Sequence, residues 1–347
     1  MQFVNRVSNN PGRARTLLAL AALGIAPIAQ AHYYCVATAA ALQNALTQSS
    51  NGGVYNDEDN LIEVVQGTYQ TGSASGNEAF HFYSTNTHSL IIAGGYSTGC
   101  ASQLHVTSAT VLDGRHVTGV LVLSNANGTI AVQGLTLQNG ESGIPGGGLS
   151  VNYLASVNAP VHVMNNIIRN NHSSVDAGGI YVSGAGSETW LFNNLIANND
   201  ADAQYGAGYV TGYGQYNEVF ANTVTANTSA SHGSDPAVGG LFCGGSRRCQ
   251  ITNNIFWNNT NYGIYLGNGG AILEYNDYGT RGGSAPASSL GDVSVAPQFA
   301  NPGNGNYRLG SGSPLRSHSP QHVSQYDLDG HAYPDQGNVD LGAYQHL

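Results

Sequence analysis

Six side chains fall at positions from which they could act together on a ligand: Arg169, Asp176, Asp200, Asp202, Asp235 and Trp257. An arginine can serve as a base or an anion clamp, grouped carboxylates can hold Ca2+, and an indole offers an apolar face on which a sugar ring stacks. His172 and His232 stand in the same stretches as the acids. Together these residues describe a groove for a glycan, with Ca2+ bridging the acids and Arg169 as the candidate catalytic base. Read without chemistry, Arg169 makes a surface ion pair and the aspartates cap turns. The choice depends on what sets them side by side.

That element is a repeat. The segments starting at Asn165, Asn193, Ala221 and Asn253 align without gaps over seven residues, and those starting at Gly134 and Tyr275 extend the series. Each is followed by a glycine-led apolar stretch that includes Leu149, Tyr181, Tyr209, Leu241 or Ile264. From Tyr181 to Asn194, Tyr209 to Asn222 and Leu241 to Asn254 the distance is 13 residues each time, whereas the return arc varies from 10 to 19. Length variation in these turns therefore falls mostly in one loop. Repeats of 22 to 32 residues, rich in short β-runs and without a leucine-rich pattern, predict one coil each of a parallel β-helix.

Stacked coils sit about 4.8 Å apart, so equivalent residues lie over one another. Leu137, Ile168, Ile196, Val224 and Phe256 then form an inward apolar column. Asn166, Asn194, Asn222 and Asn254 form an asparagine ladder, also suited to left-handed corners. The next residue faces out, which aligns Gln138, Arg169, Ala197, Thr225 and Trp257 along one groove. The variable loop borders it, with Asp176, Asp200, Asp202 and Asp235. Tyr181, Tyr209 and Tyr265 read as strand residues, because aromatic side chains suit a pleated surface. Asp327 and Asp329 read as a turn, and the spacing of His318 and His322 supports no zinc site because Pro320 separates them.

The fold class predicted is all-β: a single-stranded right-handed parallel β-helix with an N-terminal capping helix over residues 37–46 and an irregular C-terminal cap. With 47 glycines and 36 asparagines in 347 residues, and only 9% charged residues, long helices are excluded. Arg6, Arg13 and Arg15 precede an apolar run, and Ala29-Gln30-Ala31 fits a cleavage site, so residues 1–31 read as a signal peptide. The expected location is secreted, periplasmic or extracellular. The remaining chain carries 20 acids against 7 arginines and no lysine, a net charge of −13 that makes nucleic acid a poor partner. No other segment is apolar and long enough to span a membrane. Cysteines persist as disulfides in such a compartment, and sequence proximity pairs Cys35 with Cys100 and Cys243 with Cys249.

With these residues in view, the chain resembles exported bacterial β-helix proteins of the pectate-lyase-like superfamily. Residues 281–347, with Ala296-Pro297-Gln298-Phe299, Asp327-Leu328-Asp329-Gly330 and Asp340-Leu341-Gly342-Ala343-Tyr344, resemble a choice-of-anchor Q domain. They depart from its pattern at Leu315-Arg316-Ser317-His318 and at Gln345. Residues 32–280 then form the β-helix. The resemblance implies a polysaccharide or cell-surface glycan as partner but no particular reaction, because this fold hosts lyases, hydrolases and binding proteins alike. No hydrolase carboxylate cluster, nucleophile elbow or phosphate loop is present in the sequence. A carbohydrate-binding or adhesive surface therefore ranks first, and a calcium-assisted lyase acting on an acidic glycan second.

Overall fold

The computed structural model describes residues 31–72, 78–157, 159–185, 188–212, 216–231, 236–245, 248–321, 326–334 and 337–346. Residues 1–30 of the predicted signal peptide and Asp235 lie outside these residues, as do His232 and His322. The chain winds through three long parallel sheets. Sheet A has ten strands, from His32–Val36 and Asn60–Val65 to Ser288–Leu290; sheets B and C have eight each, from Gly67–Gln70 to Asp277–Tyr278 and from Phe80–Ser84 to Arg281–Gly283. A short fourth sheet, D, stacks Glu141–Ser142, His172–Ser173, Asp200–Ala201 and Thr228–Ser229 between B and C. The solenoid is the parallel β-helix expected from the repeat.

The inward column is in register from Leu137 through Ile168, Ile196 and Val224 to Phe256, and every member is fully buried. Tyr69 and Leu112 extend it in the earlier coils. At the first coil, helix Ala39–Ser49 starts at Thr38, whose Oγ1 accepts from Ala41 N (3.1 Å), and buries Leu42, Ala45 and Leu46 in the same core. The helix thus shields apolar side chains that an uncovered coil would leave in water. Among the described residues no helix is long and apolar enough to cross a membrane.

The asparagine pairs divide two tasks. The first member turns the corner: Asn165, Asn193 and Asn253 have φ between 52° and 60°, the left-handed region that asparagine tolerates best after glycine. The second builds the ladder. Asn194 Nδ2 donates to Asn222 Oδ1 (2.9 Å) and Val163 O (2.9 Å), while its Oδ1 accepts from the backbone N and Nδ2 of Asn166 (2.9 and 3.2 Å). The ladder residues are thus not the corner residues that the sequence suggested. Asn276 continues the ladder and Asp292 ends it, accepting from the Asn276 N and Nδ2 (2.8 and 2.9 Å). A second ladder of Asn171, Asn199, Asn227 and Asn259 supports the next corner in the same way.

Both predicted disulfides are formed. Cys243 and Cys249 are buried in the core and join sheet C to sheet A within one coil. That link shortens the C-to-A connection by one residue: Gly212 to Tyr216 spans four positions, and their partners Gly245 to Arg248 span three. The equivalent of Tyr209 is therefore Phe242, not Leu241, and the constant 13-residue arc fails in this coil. Leu241 is fully buried while Phe242 faces out, because a one-residue slip exchanges the two sides of a strand.

The described parts of residues 293–346 cover a side of the solenoid. They run back along the outer face of sheet B, where Leu315 and Leu341 pack with Ile255, and Tyr307, Leu328, Ala343 and Tyr344 pack with Ile167, Leu195 and Ala197. Backbone and side-chain bonds fasten this roof. Gly342 N donates to Asn253 O (2.8 Å), Ala343 N to Thr223 Oγ1 (3.0 Å), Tyr333 OH to Asn193 Oδ1 (2.9 Å), and Thr107 N to Leu328 O (3.2 Å).

Candidate functional site

Gln138, Arg169, Ala197, Thr225 and Trp257 occupy one outward column, in register as the repeat predicts. The column is not an open groove. Ala197 is 0% exposed, in one cluster with the roof residues Tyr307, Leu328, Ala343 and Tyr344, and Thr225 is 2% exposed. Trp257 is half-buried and packs against the cluster of Ile255, Leu315 and Leu341. Arg169 donates from Nε and Nη2 to Gln138 Oε1 (3.0 and 2.8 Å), and among the described residues it makes no ion pair, neither the expected one at the surface nor one with Asp176, Asp200 or Asp202. A segment without the repeat had to be placed before this burial could be known.

The acids gather elsewhere. Asp176 Oδ1 accepts from Gln204 N (2.9 Å) and fastens one variable loop to the next. On sheet D, Glu141, His172, Asp200 and Thr228 stack in register. His172 Nδ1 lies 2.7 Å from Glu141 Oε1, and its Nε2 lies 3.2 Å from Asp202 Oδ1 and 3.7 Å from Asp200 Oδ2. Thr228 Oγ1 donates to Asp200 Oδ1. Burial lowers the His172 pKa, but hydrogen bonds to Glu141 and Asp202 outweigh it and the net shift is upward. Glu141 was missed in the sequence. The signal was there, since Glu141 follows Gln138 by three positions just as His172 follows Arg169 and Asp200 follows Ala197.

On the outer face of sheet C a second column lines up Tyr181, Tyr209, Phe242 and Tyr265. Their rings stack at 5.4, 4.8 and 6.1 Å with interplanar angles of 10° to 18°. Rings stacked along the column turn their faces to one another and their edges outward. The strand-residue reading of these tyrosines thus describes the ladder itself, and Phe242 joins it only through the register slip. Two further rings cross it: Tyr205 is tilted 44° to Tyr209 and 54° to Phe242, and Tyr262 meets Tyr265 at 72°. All six are half-buried, and Tyr205 lies on the same variable loop as Asp202.

Asp327 and Asp329 form a turn. Asp327, buried, accepts through Oδ1 from Asp329 N (2.9 Å) and His331 N (2.8 Å) and through Oδ2 from Gln345 N (3.0 Å). Asp329 pairs with Arg308, whose guanidinium lies 4.6 Å over the Tyr344 ring. These acids hold the roof together.

A family model described as the right handed beta helix region matches residues 98–278, more than half of the chain. No curated protein and no solved structure matches it.

Proposed function

The chain belongs to the right-handed β-helix family, and from that premise we propose that it is an exported protein presenting a carbohydrate-binding surface on the outer face of sheet C. The observation that carries this reading is the outward aromatic ladder over four coils, crossed by Tyr205 and Tyr262. Turned rings supply apolar faces for a sugar, and phenol and carboxylate oxygens beside them suit its hydroxyls. The net charge of −13 outside residues 1–31 favours a neutral glycan over a polyanion. Two disulfides support an oxidising, extracytoplasmic location, reached after loss of residues 1–31. The pectate-lyase-like likeness and the anchor-like likeness of residues 281–347 are in keeping with a cell-surface role.

The binding reading ranks above the calcium-assisted lyase because Arg169 is engaged by Gln138 while Asp200 and Asp202 turn to His172. The test is retention of the protein on immobilised neutral and acidic glycans, with and without Ca2+, while ultraviolet absorbance follows unsaturated products. Retention on a neutral glycan, weakened by Tyr205→Ala and Tyr262→Ala and unaffected by Trp257→Ala, is the expected result. Formation of unsaturated products would establish the lyase instead. Absence of retention on every glycan would end the binding proposal.

A further inference from the structure

We infer that His172, Asp200 and Asp202 form a binding site for a divalent transition-metal ion of the Zn2+ class at the foot of the variable loop. The donor atoms of the three residues all lie within 4.8 Å of one another, close enough for one small ion to touch all three. They come from two adjacent coils, so the parallel register of His172 with Asp200 fixes their spacing. The ring is oriented for the task. Glu141 Oε1, 2.7 Å from His172 Nδ1, holds that nitrogen as the donor and directs Nε2 at the two aspartates, the carboxylate–histidine arrangement found behind metal-bound imidazoles. Thr228 occupies Asp200 Oδ1 and leaves Oδ2 facing His172 Nε2.

Charge points the same way. Glu141, Asp200 and Asp202 crowd one edge of sheet D, and among the described residues no arginine pairs with any of them; their ion-pair partner is His172 alone. Glu141 and Asp200 lie on the two strands that flank His172, and Asp200 and Asp202 share one coil, so a cation held between His172 and the two aspartates offsets their like charge. The identity of the ion follows from the donors. An imidazole with two carboxylates suits Zn2+ and its neighbours, whereas Ca2+ and Mg2+ take oxygen ligands. This differs from the calcium site expected of the acids, in both the ion and the histidine. Three protein ligands leave at least one position open to water or to an external donor. The site does not depend on the glycan-binding reading.

The experiment is calorimetric titration of the untagged, chelator-treated protein with Zn2+ and, separately, with Ca2+. One equivalent of Zn2+ should bind more tightly than Ca2+. His172→Ala and Asp202→Asn should each weaken this event, on the order of a hundredfold, and Glu141→Gln by roughly 10- to 100-fold through loss of ring orientation. Asp202 is the most exposed of the set, at 62% of its side chain, so its variant tests the site without disturbing the fold. His81→Ala, at a histidine on sheet C outside the cluster, should leave the titration unchanged. Co2+ in place of Zn2+ should give visible absorption that disappears in His172→Ala. The assignment is overturned if the parent binds no Zn2+, if His172→Ala and Asp202→Asn bind it as the parent does, or if Ca2+ binds more tightly.

Discussion

The outer faces of sheets B and C are built from the same kind of strand but end in different environments. Both carry outward columns in register, and both hold aromatic residues. On sheet B the roof packs on part of the column: Ala197 and Thr225 are as buried as core residues, while Gln138, Arg169 and Trp257 stay half-buried. On sheet C the column of Tyr181, Tyr209, Phe242 and Tyr265 stays half-exposed and covers itself, ring on ring. An outward position in a solenoid is therefore not a surface position until the remainder of the chain is accounted for. The face with the arginine and the tryptophan is the one on which the roof packs, and the tyrosine-rich face carries a column that covers itself.

Breaking the roof should have the largest effect. Leu341 is 1% exposed and packs with Ile255 and Leu315, so Leu341→Ala should cost about 2–5 kcal/mol in chemical denaturation. Gly342 has φ +82°, and a Cβ there would lie 2.4 Å from Thr223 Oγ1, so Gly342→Val should also lift the roof and expose residues 293–346 to limited proteolysis. Resistance of both variants to protease would mean that the roof contributes little to the fold.

Two buried titratable groups sharpen the contrast between covered surfaces. Asp277 sits where residues 293–295 pack on the last coil; its Oδ1 accepts from Val295 N (2.9 Å), its Oδ2 has no protein partner, and burial pushes its pKa from 3.8 up to about 7. The folded chain holds this proton where the unfolded chain has lost it, so the stability it contributes is present in acid and lost as pH rises from about 4 to about 7. His162 on sheet A, stacked 4.4 Å from Trp190, has its pKa lowered by burial from 6.5 to about 4, and it acts in the opposite direction. The two contributions thus oppose each other between pH 4 and 6.5, and each variant is compared with the parent. Asp277→Asn should make stability rise with pH, and His162→Gln should make it fall, each by up to about 1.4 kcal/mol per pH unit. Parallel profiles for parent and variants would show that neither group is coupled to folding.

On the open face the effects should be smaller. Phe242→Ala removes stacking with Tyr209 and Tyr265, worth roughly 0.5–1.5 kcal/mol per ring pair, and should leave the fold intact while loosening the ladder. A loss as large as that of Leu341→Ala would make the ladder a structural element on the scale of the roof. The smallest effect belongs to Arg169→Gln, whose bonds to Gln138 lie at the margin of the roof; about 1 kcal/mol or less is expected.

The coil repeat, the inward column from Leu137 to Phe256, the Asn166–Asn254 ladder and the cysteine pairing were legible in the amino-acid sequence. Each coil meets only its neighbours, so a position repeated along the chain is a contact in space. Glu141 was legible in principle by extending the aligned segments three residues. Three features required the tertiary structure. Residues 293–346 have no period, and nothing local assigns them to sheet B rather than to the end of the stack. The one-residue shortening at Cys243–Cys249 leaves the glycine-led stretches alignable in either register, and only pairing with neighbouring strands sends Leu241 inward and Phe242 outward. The partner of His172 depends on side-chain reach across coils: charge and distance bring it to Asp200 and Asp202, while Arg169, three residues earlier, turns to Gln138. Periodicity determines which residues face out; long-range packing determines which of them meet water.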